Sequence, residues 1–161
     1  MPVVLRQVLL GLGVVLLQWL VVGRLRLWGV APDLVLIYVV FQALQRGRLV
    51  GATAGFGAGL LMDLLTNPTT LGLHALLKTL LGFVVGLFRS DQGTQLRVNP
   101  AQAFLGTLMV AIVHNGLMTI ALALDQATRT PFLLFGVWLG GALYTALVAL
   151  AISLFRGTPA R

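Results

Sequence analysis

Between Arg97 and Asp125 the chain runs without a single Asp, Glu, Lys or Arg, and most of what lies between is Leu, Ala, Val, Ile, Met, Phe and Gly. An α-helix needs ~20 apolar residues to cross a ~30 Å hydrocarbon core, so this stretch reads as a membrane span. Cutting the sequence at charges, prolines and polar clusters gives candidate spans at 7–23, 32–45, 49–65, 71–88, 100–124 and 132–155. Of the 161 residues, 58% are hydrophobic and 9% charged. Water-soluble domains are about one quarter charged, so the solvent of this chain is lipid. The expected architecture is all-α: a polytopic integral membrane protein, one compact bundle of about six transmembrane helices forming a single domain over 1–161.

The net charge of +7 comes almost wholly from arginines placed singly or in pairs at the ends of apolar runs. They act as orientation signals and do not form a nucleic-acid patch. With the N-terminus cytoplasmic, the inside holds Arg6, Arg46, Arg48, Arg89, Arg97, Arg156 and Arg161, and the outside Arg24, Arg26 and Arg129. That bias predicts both termini on the cytoplasmic side. No small-residue cleavage site with a polar mature domain comes after the first run, which reads as a retained span. The absence of cysteine removes disulfides, thiol nucleophiles and thiolate metal sites.

Glycine recurs at every fourth position in the third span, at Gly51, Gly55 and Gly59. In lipid the hydrophobic drive for helix association is weak, so such a flat strip serves close backbone approach. It packs either against a neighbouring span or against a helix from another protein; the second use makes these glycines candidate partner-binding residues. Gly82 with Gly86 and Gly136 with Gly140 and Gly141 repeat the spacing, the last group open to internal packing or a homodimer.

An ionisable side chain in the bilayer costs a few kcal/mol and so needs a partner or a task. Pro32 and Asp33 suit the start of the short second span, with the carboxylate at the positive end of the helix dipole. Asp63 falls ~3 Å from the outer end of the third span, and Lys78 ~10 Å into the fourth, with His74 one turn away on the same face. A salt bridge between Asp63 and Lys78 is the simplest arrangement of this cluster; a partner contact and a proton or substrate path are the alternatives. His114 and Asn115, deep in the fifth span, are expected to hydrogen-bond across helices, as are Gln18 and Gln42. No nucleophile triad, phosphate loop or metal-ligand spacing is legible, so neither an enzyme nor a cofactor or metal site is expected.

Residues 31–86, "APDLVLIYVVFQALQRGRLVGATAGFGAGLLMDLLTNPTTLGLHALLKTLLGFVVG", resemble the rod shape-determining membrane protein family MreD. The resemblance rests on Pro32, Asp33 and Leu34 opening a helix, then Gly55, Phe56, Gly59, Leu60 and Asp63, then Leu71, Gly72, Ala75, Leu76 and Gly82. It implies a non-enzymatic, multi-pass component of the bacterial inner membrane that serves the cell-elongation machinery. The partners it implies are MreC, bound directly through its transmembrane helix, the filament protein MreB, and the polymerase RodA with its transpeptidase. It further implies a fold similar to the S-components of energy-coupling-factor vitamin transporters, which supplies the alternative of a small-molecule-binding transporter subunit.

Overall fold

In lipid the length of a helix decides whether its ends reach water, and here the lengths divide into two classes. The computed structural model describes residues 3–66, 71–89, 99–126 and 129–156. Most of the expected turn at 66–70 and of the polar connection at 89–99 lies outside these residues. Six α-helices occur among the described residues: α1 (Val3–Leu20), α2 (Leu34–Arg46), α3 (Arg48–Thr66), α4 (Leu73–Leu87), α5 (Pro100–Ala123) and α6 (Gly141–Arg156). A π-helical run, Leu133–Gly140, leads directly into α6. The described residues contain no strand.

Four stretches are long and apolar enough to cross a membrane: Leu5–Arg24, Arg48–Thr66, Pro100–Ala123 and Leu133–Phe155. The sequence predicts six spans, and the difference lies in α2 and α4. With 13 and 15 residues, they extend only ~20 and ~23 Å, short of the ~30 Å core. A helix that short starts or stops where water does not reach, so its backbone donors must be satisfied by the protein.

The helices group into two compact units. The first comprises residues 1–25 and 33–93, and the second residues 26–32 and 94–161. In the first unit, α2 turns into α3 through Gly47 alone, whose φ of 89° suits glycine and whose N–H donates to Ala43 O at 2.8 Å. α3 then lies antiparallel to α4 along a seam without side chains. A Cβ on Gly51 would strike the backbone oxygen of Gly82, and one on Gly55 the carbonyl of Lys78. One on Gly59 would come within 2.7 Å of Ala75 Cα, and one on Gly86 would meet the backbone of Arg48. Of the two uses open to the Gly51, Gly55, Gly59 strip, this fold employs internal packing. α4 thereby fills the strip that the sequence left open to a neighbouring span or to another protein's helix. Val15, Val35, Val39, Ala58 and Met62 fill the core between α1, α2 and α3.

In the second unit α5 packs against the π-helical run and α6. Its first turn is closed by a capping box, the Asn99 side chain accepting from Ala101 N–H while the Gln102 side chain accepts from Asn99 N–H, with Pro100 at the first helical position. Gly141 meets Asn115 and Val30, Gly136 meets the Phe132 ring, and Gly140 the Phe135 carbonyl. Each of these glycines thus has a neighbour inside the chain. Residues Leu27 to Val30 form a tight turn, closed by two backbone hydrogen bonds of 2.9 and 3.0 Å, with Trp28 at its tip and 96% exposed.

The seam sets apart two glycines of the same helix. A Cβ on Gly55 would overlap Lys78 backbone, whereas one on Gly57 meets nothing within 4 Å. Gly55→Ala is expected to lower stability by about 1–3 kcal/mol through overpacking, and Gly57→Ala to leave it unchanged or raise it by up to ~1 kcal/mol. Thermal unfolding of the two variants in detergent checks both signs.

Candidate functional site

The polar residues of the first unit gather where its two short helices begin. Leu34 N–H, at the start of α2, donates to Gln18 Oε1 of α1 at 2.8 Å, and Leu36 N–H donates to Asp33 Oδ1 at 2.8 Å. The second carboxylate oxygen of Asp33 accepts from Lys78 Nζ at 2.5 Å. Lys78 is fully buried, and its ammonium reaches back along α4 toward the helix start, as helical side chains do. One aspartate therefore caps α2 and neutralises the single lysine of the chain.

Asp63 does something different from what its neighbourhood in the sequence suggests. Fully buried near the end of α3, it accepts backbone N–H groups of Gly72 and Ala75, each at 3.0 Å, on Oδ2, and that of His74 at 3.1 Å on Oδ1. Gly72 enters α4 with φ of 93°, and the first turn of that helix has no acceptor of its own to satisfy these donors. A carboxylate at a helix N-terminus meets both the donors and the positive end of the dipole. Both oxygens of Asp63 are thus engaged in capping, and the expected Asp63–Lys78 salt bridge is replaced by Asp33–Lys78. His74 contributes its backbone to the cap, its ring half-buried beside it.

Asp33, Asp63, His74 and Lys78 thus come together in the first unit, while His114 belongs to the second. There it is buried, its Nδ1 lying 2.9 Å from Asn115 Oδ1. Asn115 Nδ2 donates to Val137 O at 3.2 Å, and Trp138 Nε1 donates back to Ile112 O at 2.9 Å. Wider turns in the π-helical run leave carbonyls turned away from regular i→i+4 partners, and Asn115 uses them. Gly116 lets the indole approach, since a Cβ there would lie 3.1 Å from Trp138 Nε1. The expected cross-helix bond of the His114–Asn115 pair is therefore made by Asn115, with His114 holding its carboxamide. Trp138 has no signal in the sequence beyond its being an aromatic donor in a deep position. Gln42 bonds within α2 and across to α1 in relay, its Nε2 donating to Tyr38 Oη at 3.0 Å and Tyr38 Oη to Gln7 O at 3.1 Å.

Chemically this arrangement holds helices; its carboxylates are occupied by backbone N–H groups and by lysine. A double-mutant cycle separates the two aspartates. Lys78→Met alone is expected to cost about 3 kcal/mol by leaving Asp33 without its cation. Combined with Asp33→Asn, part of that loss returns, whereas combined with Asp63→Asn the two losses add. Asp63→Asn alone is expected to cost about 1–3 kcal/mol, because an amide offers one acceptor oxygen to three donors. Thermal unfolding of the single and double variants in detergent checks each value.

The chain matches the family model described as rod shape-determining protein MreD over residues 1–157. No curated protein and no solved structure matches it. The match extends the likeness of residues 31–86 to nearly the whole sequence and agrees with the membrane-spanning helices described above. The chain belongs to the MreD family, structural membrane proteins with a role in determining rod shape.

Proposed function

We propose that this protein is a non-enzymatic scaffold of the cell-elongation machinery in the bacterial inner membrane, with both termini cytoplasmic. It binds MreC by transmembrane helix packing and thereby links the MreB filament to peptidoglycan synthesis by RodA and its transpeptidase. The observation that carries this reading is the family match over residues 1–157. The way the buried charges are used supports it: Asp33, Asp63 and Lys78 fix helix ends, as a scaffold requires of its interior.

The glycine seam serves docking indirectly, by locking α3 and α4 into one rigid pair. Docking itself falls to an apolar face next to the seam. Leu76, Leu80, Phe83 and Leu87 lie along the outward side of α4 at helical spacing, 38–65% exposed. A helix from a single-span partner packs along such a stripe, where affinity comes from shape and dispersion.

Affinity capture of the tagged protein from its native membrane in mild detergent, followed by mass spectrometry, tests the reading. Recovery of MreC with other elongation proteins is the expected result. Leu76→Trp combined with Leu80→Trp is expected to reduce MreC recovery several-fold while the thermal transition of the protein stays in place. Recovery of an ATPase module without MreC would overturn the scaffold in favour of a transporter subunit.

A further inference from the structure

A groove of about 300 Å³ runs along the first unit between α1, α2 and α3. Its floor is made by small residues, Gly11 on α1 with Ala54, Gly57 and Ala58 on α3, and Leu12 and Leu61 flank it. One end is polar, formed by Gln7, Tyr38 and Gln42. These are the residues joined by the Gln42–Tyr38–Gln7 relay, so this end is rigid.

That same end carries a concentration of positive charge. The Gln7 carboxamide lies directly against the Arg46 guanidinium. Arg89 in turn donates to the Arg46 carbonyl at 3.1 Å, and the exposed Arg6 precedes Gln7 on α1. Both described acids of this unit sit elsewhere, Asp33 at the opposite end of α2 and Asp63 toward the opposite end of α3. The groove thus joins an apolar trough to a basic mouth, the arrangement by which pockets between membrane helices take anionic lipid headgroups.

We propose that the groove is a binding site for one anionic phospholipid, with an acyl chain along the Gly11, Ala54, Gly57 and Ala58 floor and the phosphate at Arg46 and Arg6. A volume of about 300 Å³ lies at the small end of ligand pockets. It admits a hydrocarbon chain. With the phosphate at the arginines, the amide and phenol groups of Gln7, Gln42 and Tyr38 come next along the groove and offer hydrogen bonds to the ester linkage. The lipid comes from the leaflet at the arginine-bearing end, which the charge count along the chain places on the cytoplasmic side.

Gly57 gives a direct test, because a side chain added there enters the groove without meeting backbone. The protein is reconstituted in nanodiscs of equal phosphatidylglycerol and phosphatidylcholine, extracted in mild detergent, and its retained lipid counted by native mass spectrometry. One phosphatidylglycerol per chain, in preference to phosphatidylcholine, is expected. Gly57→Leu should abolish retention with the thermal transition unchanged, and Ala54→Leu closes the same groove should the first variant fail to fold. Arg6→Gln and Arg46→Gln should each lower the preference for phosphatidylglycerol about fivefold, the equivalent of ~1 kcal/mol per arginine. Equal retention of the two lipids, no retained lipid, or a folded Gly57→Leu protein that keeps its phosphatidylglycerol would each overturn the site. So would a Gly57→Leu protein that loses a captured partner protein and keeps its lipid, which would assign the groove to that partner.

Discussion

A helix that begins inside hydrocarbon presents backbone N–H groups to a medium that cannot accept from them, and the first unit is organised around that constraint. α2 and α4 are too short to carry both ends to water. Their first turns are served by Gln18 and Asp33 in one case and by Asp63 in the other. Each carboxylate is in turn stabilised by what it serves, since a helix N-terminus carries partial positive charge. Lys78 completes the balance for Asp33. Two acids, one lysine and two helix dipoles therefore compensate one another, and charges that would be costly singly become the fasteners of the unit.

Glycine on α3 serves two opposite faces of the same helix. Gly51, Gly55 and Gly59 bring the backbone of α4 into direct contact, whereas Gly57 leaves a recess on the side of α1. Their different phases around the helix separate the two effects. The closed face gives rigidity to the α3–α4 pair, which a helix bundle in lipid needs because little hydrophobic drive holds its helices together. The open face gives lipid a shaped surface beside a cluster of arginines. In the second unit, hydrogen bonds tie α5 to the π-helical run, Asn115 donating to Val137 O and Trp138 to Ile112 O.

Much of this is legible in the sequence because lipid removes ambiguity. Uncharged runs mark the long helices, four-residue glycine spacing marks a close-packed face, and Asp33 directly before an apolar run reads as a helix start. Gln18 announces a cross-helix bond simply by being polar among Leu and Val, whereas Gln42 bonds to Tyr38 of its own helix and Tyr38 makes the bond to α1. The partner of Lys78 is not legible: Asp63 is nearer in sequence and opposite in charge, and its withdrawal into a cap depends on Gly72 turning its backbone toward it. The shortness of α4 is concealed because Leu71 and Gly72 are as apolar as the helix itself, which starts only at Leu73. The π-helical run has no composition signal, since its residues suit an ordinary α-helix equally well. Trp138 and its acceptor Ile112 O are hidden for the same reason.

The separation between Asp33 and Lys78 also orders events in time. They stand 45 residues apart, and the aspartate is made first. At ribosomal rates of ~5–20 residues per second, the carboxylate waits roughly 2–9 s before its lysine leaves the ribosome. Asp63, by contrast, acquires its donors from residues 9 to 12 positions later. During the wait Asp33 remains a charge without its countercharge, which favours holding the start of α2 at the membrane surface. The lysine arrives within α4 itself, so Asp33 gains its countercharge only as the α3–α4 hairpin with its Asp63 cap is made. The start of a short helix thus depends for its neutrality on a helix written after it.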